Sequence, residues 1–234
     1  MRLWNTCSLA IPLAALLLCS SVTLAQEYSP AFPRDGAKKI QENDYFAIWD
    51  VTWEKGQSTG MRKLRLDQIT VFLTDGAIRF TRPDGMSTIE EERLGSVLYE
   101  PKGTIVATEG TSENPIRAAV FQLKGGVPPK QPVVRGIPGL LPRPGAVKLF
   151  ETARIIVWDD TWQPGVRTPV HLHYAQAAAV FLGGGTIGTF SANGAPGPTF
   201  SRKQGEVIIS SHPKEPHAEE EIEGLPRAIW VEFK

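Results

Sequence analysis

The sequence predicts an all-β protein made of two copies of one unit. Three observations carry that expectation. The chain matches itself at a fixed offset, as repeat architectures do. Its apolar residues come in short runs rich in β-branched and aromatic types, bounded by Gly, Pro, Asp or Asn, as short strands do. Glycine and proline supply 22 and 19 of the 234 residues, a turn-rich usage, and no stretch of about twelve residues keeps a helical period.

The repeat is read first from tryptophans. Trp49-Asp50-Val51-Thr52-Trp53-Glu54-Lys55-Gly56 aligns with Trp158-Asp159-Asp160-Thr161-Trp162-Gln163-Pro164-Gly165. The same register, an offset of 109, gives 11 identities over the 30 positions 49–78. They include Val71-Phe72-Leu73 against Val180-Phe181-Leu182. With small length changes, Gly95-Ser96-Val97-Leu98 matches Gly205-Glu206-Val207-Ile208, and Arg117–Phe121 matches Arg227–Val231. Each unit is about 80 residues, in the range of a small domain.

Taken in order, residues 1–25 read as a secretory signal peptide: Arg2, an apolar run from Leu9 to Leu18, and small residues at Thr23 and Ala25. The run falls short of the ~20 apolar residues that span a bilayer. Export to the periplasm or the exterior is therefore expected, with no membrane attachment after cleavage. Cys7 and Cys19 both lie in this segment, so the remaining chain would have neither a disulfide nor a thiolate ligand. Residues 26–44 read as an arm laid on a barrel or loosely ordered, and 45–124 as the first unit. The Pro- and Gly-rich stretch 125–150 reads as an extended connection, because proline removes backbone donors, and 151–234 as the second unit.

Charge is balanced, with 25 Lys+Arg against 25 Asp+Glu. No basic excess points to nucleic acid or an anionic membrane, so a small-molecule ligand or substrate is the expected partner. Homo-oligomerisation is left open.

The four histidines, His171, His173, His212 and His217, all fall in the second unit. His171-Leu172-His173 is a period-two pair, so on a strand both imidazoles face one side while Leu172 faces the other. Two such rings converge readily on a cation. Gly165, five residues, His171-Leu172-His173 resembles the first half of the first cupin motif. Gly205-Glu206-Val207-Ile208-Ile209 followed by His217 is similar to the second motif, with His217 at the ligand histidine. The resemblance covers both motifs of the second unit and, through the repeat, nearly the whole chain after residue 25. It implies a bicupin: two tandem jelly-roll barrels (double-stranded β-helices), with a metal held by His171, His173 and His217.

The departures from the pattern are specific. The motif glutamate falls at Ala177, which cannot ligate, and Gln176 is the neighbour that could substitute. The second motif lacks its Pro-x-Gly, has one extra residue before His217, and ends in Glu221 in place of asparagine. His212 reads as a loop or rim residue near the site. Three neutral imidazoles with open positions suit one divalent transition metal: Fe, Mn, Cu, Ni or Zn. Some dioxygenases of the resembled family use three histidines without the glutamate, which implies metal-dependent oxygen chemistry on a small oxygenated organic substrate. The alternatives are a non-catalytic periplasmic metal- or ligand-binding cupin, and a structural module with a decayed site.

In the first unit, His171 and His173 correspond to Arg62 and Leu64, neither of which offers a lone pair to a metal. That barrel is expected to be degenerate. Arg62 reads as a solvated basic edge or, less readily, as an anion contact. The recurring tryptophans read as packing, Gly183-Gly184-Gly185 as a tight hairpin, and Glu219-Glu220-Glu221 with Glu223 as a solvated acidic edge.

Overall fold

The computed structural model describes residues 27–126, 128–210 and 215–234. The expected signal peptide and His212 lie outside these residues. Among the described residues there is no helix.

In the first unit the chain forms β1 (Ser29–Pro30), β2 (Ala37–Glu42), β3 (Phe46–Trp53), β4 (Arg62–Lys63) and β5 (Asp67–Phe72). It continues through β6 (Gly76–Thr81), β7 (Ser87–Glu92), β8 (Val97–Glu100), β9 (Ile105–Gly110) and β10 (Ile116–Leu123). Two five-stranded sheets result, ordered β1-β4-β9-β6-β7 and β2-β3-β10-β5-β8. The second unit comprises β11 (Ala146–Glu151), β12 (Ile155–Thr161), β13 (Ala177–Ser191), β14 (Pro196–Arg202), β15 (Val207–Ile209) and β16 (His217–Phe233). Here the order is β11-β12-β16-β13-β14, with β15 paired to β13. The long strands β13 and β16 run antiparallel through several register shifts, which let one ribbon bend around the barrel.

The repeat begins earlier than the tryptophans suggested. Phe32–Glu42 and Leu141–Glu151 share Pro33/Pro142, Arg34/Arg143, Gly36/Gly145 and Ala37/Ala146 at the same offset. Both β2 and β11 pair antiparallel with the first long strand of their unit. The segments expected as arm and connection thus each carry a strand. Both strands sit at a sheet edge, where the preceding prolines need no ladder partner.

Period-two alternation divides the core into three. On β3, β5, β10, β12, β13 and β16 one set of side chains fills its own barrel, and the other set meets the other barrel. Phe46, Ile48, Ile69, Val71, Phe121, Val157, Val180, Ile229 and Phe233 share a single buried cluster with residues from both units. Trp49, Val51, Trp53 and Phe72 fill the first barrel; Trp158, Trp162, Phe181 and Trp230 fill the second. Strands buried on both faces lose the alternation of apolar and polar residues, which is why these runs read as continuous apolar stretches.

Polar contacts are duplicated with the packing. Arg117 donates from Nε and Nη2 to both carboxylate oxygens of Asp50 (2.8 and 2.8 Å), and Arg227 does the same to Asp159 (2.9 and 2.7 Å). Gly95 and Gly205, matched in the repeat, both have positive φ (86° and 78°). A Cβ at Gly95 would stand 2.8 Å from Leu182 Cδ1 in the other barrel, so glycine here permits close approach as well as the turn.

Candidate metal centre

The site forms where the short His171–His173 segment meets the start of β16. His171 N–H donates to His217 O (2.8 Å) and His217 N–H donates to His171 O (3.1 Å), a reciprocal pair that fixes the two segments together. As the alternation predicts, Leu172 turns into packing at 7% exposure, while the His171 and His173 rings lie nearly parallel, centroids 5.4 Å apart. The His217 ring stands 4.5 Å from the first and 5.1 Å from the second.

A fourth group joins them. His171, His173, His217 and Glu219 each offer one ligand atom, all within 4.8 Å of one another. Glu219 is therefore no solvated edge: it points inward with its side chain 15% exposed. Its neighbours explain this. Glu219 Oε2 accepts from Arg143 Nη1 (2.7 Å) and from Trp162 Nε1 (3.0 Å). Arg143 is itself buried, grips Asp160 through Nη2 at 2.6 Å, and lies over the Trp162 ring at 4.4 Å. Burial alone would raise the Glu219 pKa; Arg143 and the nearby imidazoles outweigh it and hold the carboxyl at about 2. The second barrel thus keeps an ionised carboxylate although Ala177 supplies none. The signal was present in the sequence: His217-Ala218-Glu219 has the same period-two spacing as His171-Leu172-His173, so histidine and glutamate share a side of β16.

The ring hydrogen bonds orient the imidazoles, and at His171 they set the tautomer. His171 Nδ1 lies 2.9 Å from Pro169 O. A carbonyl only accepts, so Nδ1 carries the proton and Nε2 the lone pair. That Nε2 is buried and has no hydrogen-bond partner. His173 Nδ1 lies 2.6 Å from Ser210 Oγ, a hydroxyl able to donate or accept. His217 Nδ1 is 3.4 Å from Glu215 O, which orients that ring the same way. Burial depresses His171 to about 4 and His173 to about 3, against the opposing pull of Glu219. Three imidazoles beside one carboxylate, oriented by outer hydrogen bonds, are a donor set suited to a divalent metal.

Gln176 is buried at 8% exposure and does not line the cavity beside the cluster. That cavity has a volume of about 460 Å³, against about 40 Å³ inside the first barrel. The repeat accounts for the difference. Gln68, Thr70, Phe80 and Glu100 line the first barrel, and strand pairing matches them to Ala177, Ala179, Thr189 and Ser210. Smaller side chains in the second copy leave the space. Trp162, Phe181, Phe200, Ile208 and Trp230 form apolar walls, and Arg202 is the cation among the described lining residues.

No protein-family model matches the chain, and no curated relative does. Solved structures match it over most of its length. A cupin-2 conserved barrel protein from Leptotrichia buccalis is 14% identical with a TM-score of 0.54, covering 85% of this chain and 88% of its own. A salicylate 1,2-dioxygenase variant from Pseudoaminobacter salicylatoxidans is 7% identical with a TM-score of 0.56, over 80% and 71%. The fold is that of a bicupin. The oxalate decarboxylase of Bacillus subtilis, a protein with Mn(II) centres, overlays the same bicupin frame at 15% identity and a TM-score of 0.51, over 82% and 69%. The first barrel presents Arg62 and a buried Leu64 where the second presents His171 and His173.

Proposed function

We propose that this protein is an exported metal-dependent oxidoreductase of the oxygenase type, acting on a small oxygenated organic substrate in its second barrel. The observation that carries the reading is the buried, unpartnered Nε2 of His171 within a three-histidine, one-carboxylate cluster that opens onto a 460 Å³ cavity. His171, His173, His217 and Glu219 would hold one divalent transition metal, which when bound supplies Lewis-acid or redox chemistry. Arg143 keeps Glu219 ionised as a ligand and fixes its direction. The apolar walls take up the hydrocarbon part of a substrate and exclude bulk water. Arg202 lies 5.3 Å from both the Phe181 and Phe200 rings and pairs with Glu206 Oε1 through Nη1 (2.6 Å), so its charge is matched and it closes one wall of the cavity. A cavity of this size beside the cluster favours turnover of an organic molecule over simple metal storage. Export rests on the sequence of residues 1–25.

The test is metal analysis of the matured protein followed by oxygen uptake with diketones, phenolic acids and flavonols. Stoichiometric metal is expected, lost in His171→Ala and His217→Ala and retained in Arg62→Ala. Glu219→Gln is expected to lower metal affinity about 10- to 100-fold. Metal-free protein, unaffected by these changes, overturns the reading; stoichiometric metal without turnover of any substrate leaves sequestration as the function.

A further inference from the structure

The first barrel keeps the arginine of the metal-bearing copy without its counter-ions. Arg34 corresponds to Arg143 in the repeat, and each follows a proline on a cis peptide bond. Arg143 is neutralised by Asp160 and Glu219. The position of Asp160 is taken in the first unit by Val51, and that of Glu219 by Thr108. The second equivalence is structural. Thr59 N–H donates to Thr108 O as Thr168 N–H does to Glu219 O, and Trp53 Nε1 donates to Thr108 Oγ1 (2.9 Å) as Trp162 does to Glu219.

A second guanidinium stands where the first metal-site histidine would be. Arg62 donates from Nε to Thr59 O (2.8 Å) and from Nη1 to Pro30 O (3.2 Å). Arg34 donates from Nη1 to Asp35 O (2.9 Å) and lies over the Trp53 ring at 5.2 Å. These contacts fix the side chains and leave donors over. Among the described residues neither guanidinium forms an ion pair. The carboxylates in the lining are Asp35 and Glu54 of the groove and Glu100 of the inner cavity, which accepts from Gln68 Nε2 at 2.6 Å. Burial and the charge of Arg62 together depress Arg34 to about 10, the direction expected of two partly desolvated cations without an anion. Both arginines line a groove of about 360 Å³ with Thr52, Ser58 and Thr59.

We propose that this groove is a binding site for a small oxyanion-bearing molecule, a carboxylate or a phosphate, held between Arg34 and Arg62. Two guanidiniums offer forked donors matched to either group, and the volume admits a small metabolite. The site is independent of the metal centre: it lies in the other barrel and uses none of its ligands.

The experiment is calorimetric titration of the metal-loaded protein with inorganic phosphate and, separately, malonate, at constant ionic strength set with chloride. Saturable binding of at least one anion is expected, unchanged in His217→Gln. Arg62→Met and Arg34→Met should each weaken it by about tenfold or more. Thr108→Glu provides the check against misfolding, because it rebuilds the Arg143–Glu219 pair beside Arg34. That variant should keep or raise the unfolding midpoint while abolishing anion binding. Phosphate bound in preference to malonate, or the reverse, assigns the class. Binding of neither anion overturns the proposal, as does binding that survives Arg62→Met and Thr108→Glu or disappears with His217→Gln.

Discussion

Acid should destabilise the metal-free protein well before ordinary carboxylates titrate, and the size of the effect follows from His171. Its folded pKa is about 4 against an ordinary 6.5. A depressed imidazole binds fewer protons in the folded chain than in the unfolded one, so its contribution is complete above 6.5 and is lost as pH falls toward 4. For one such group the loss between about pH 7.5 and about pH 4.5 works out near 2.5 kcal/mol. His173, depressed further to about 3, adds in the same direction, though less than independently because the rings share a site. Glu100 and Glu232 are raised by burial and act oppositely, since their protonated forms are favoured in the fold. Glu219, held at about 2, loses its contribution only as pH falls below its ordinary 4.5. The assay is urea denaturation in chelator across this range, with His171→Gln as reference. The difference between the two proteins should shrink by about 2.5 kcal/mol on acidification. A difference that stays constant with pH refutes the burial of a neutral His171.

Two substitutions probe the surroundings of the site. Arg143→Met leaves Asp160, fully buried, without its cation, and should lower stability by about 3–5 kcal/mol in chemical denaturation. Thr189→Phe places in the second barrel the residue found at the matching position Phe80 of the first. It should retain stoichiometric metal by elemental analysis while reducing substrate turnover at least tenfold, because the cavity wall moves inward.

The sequence carried much of the architecture. Strand character, the duplication and the shared side of His171 and His173 all follow from local alternation and from self-comparison. The alternation failed to assign β3 and β13 a single inner face, because both of their faces are buried. Glu219 was missed for a different reason. A run of three glutamates looks solvated unless the guanidinium that neutralises one of them is known, and Arg143 lies 76 residues away. Reading Pro142-Arg143-Pro144-Gly145 as spacer concealed that guanidinium, although Pro33-Arg34-Asp35-Gly36 stands at the matching place in the first unit.

What the chain's order of residues determined was the unit, its doubling and the loss of imidazoles from the first copy, since these depend on residue type and near-neighbour spacing. Tertiary structure alone decided which charges survive burial. In the second barrel one arginine meets two carboxylates and holds a glutamate ionised beside three imidazoles; in the first the same arginine meets valine and threonine. Whether a charge is neutralised depends on what lies within a few ångströms, and that is settled only when distant strands close into a barrel.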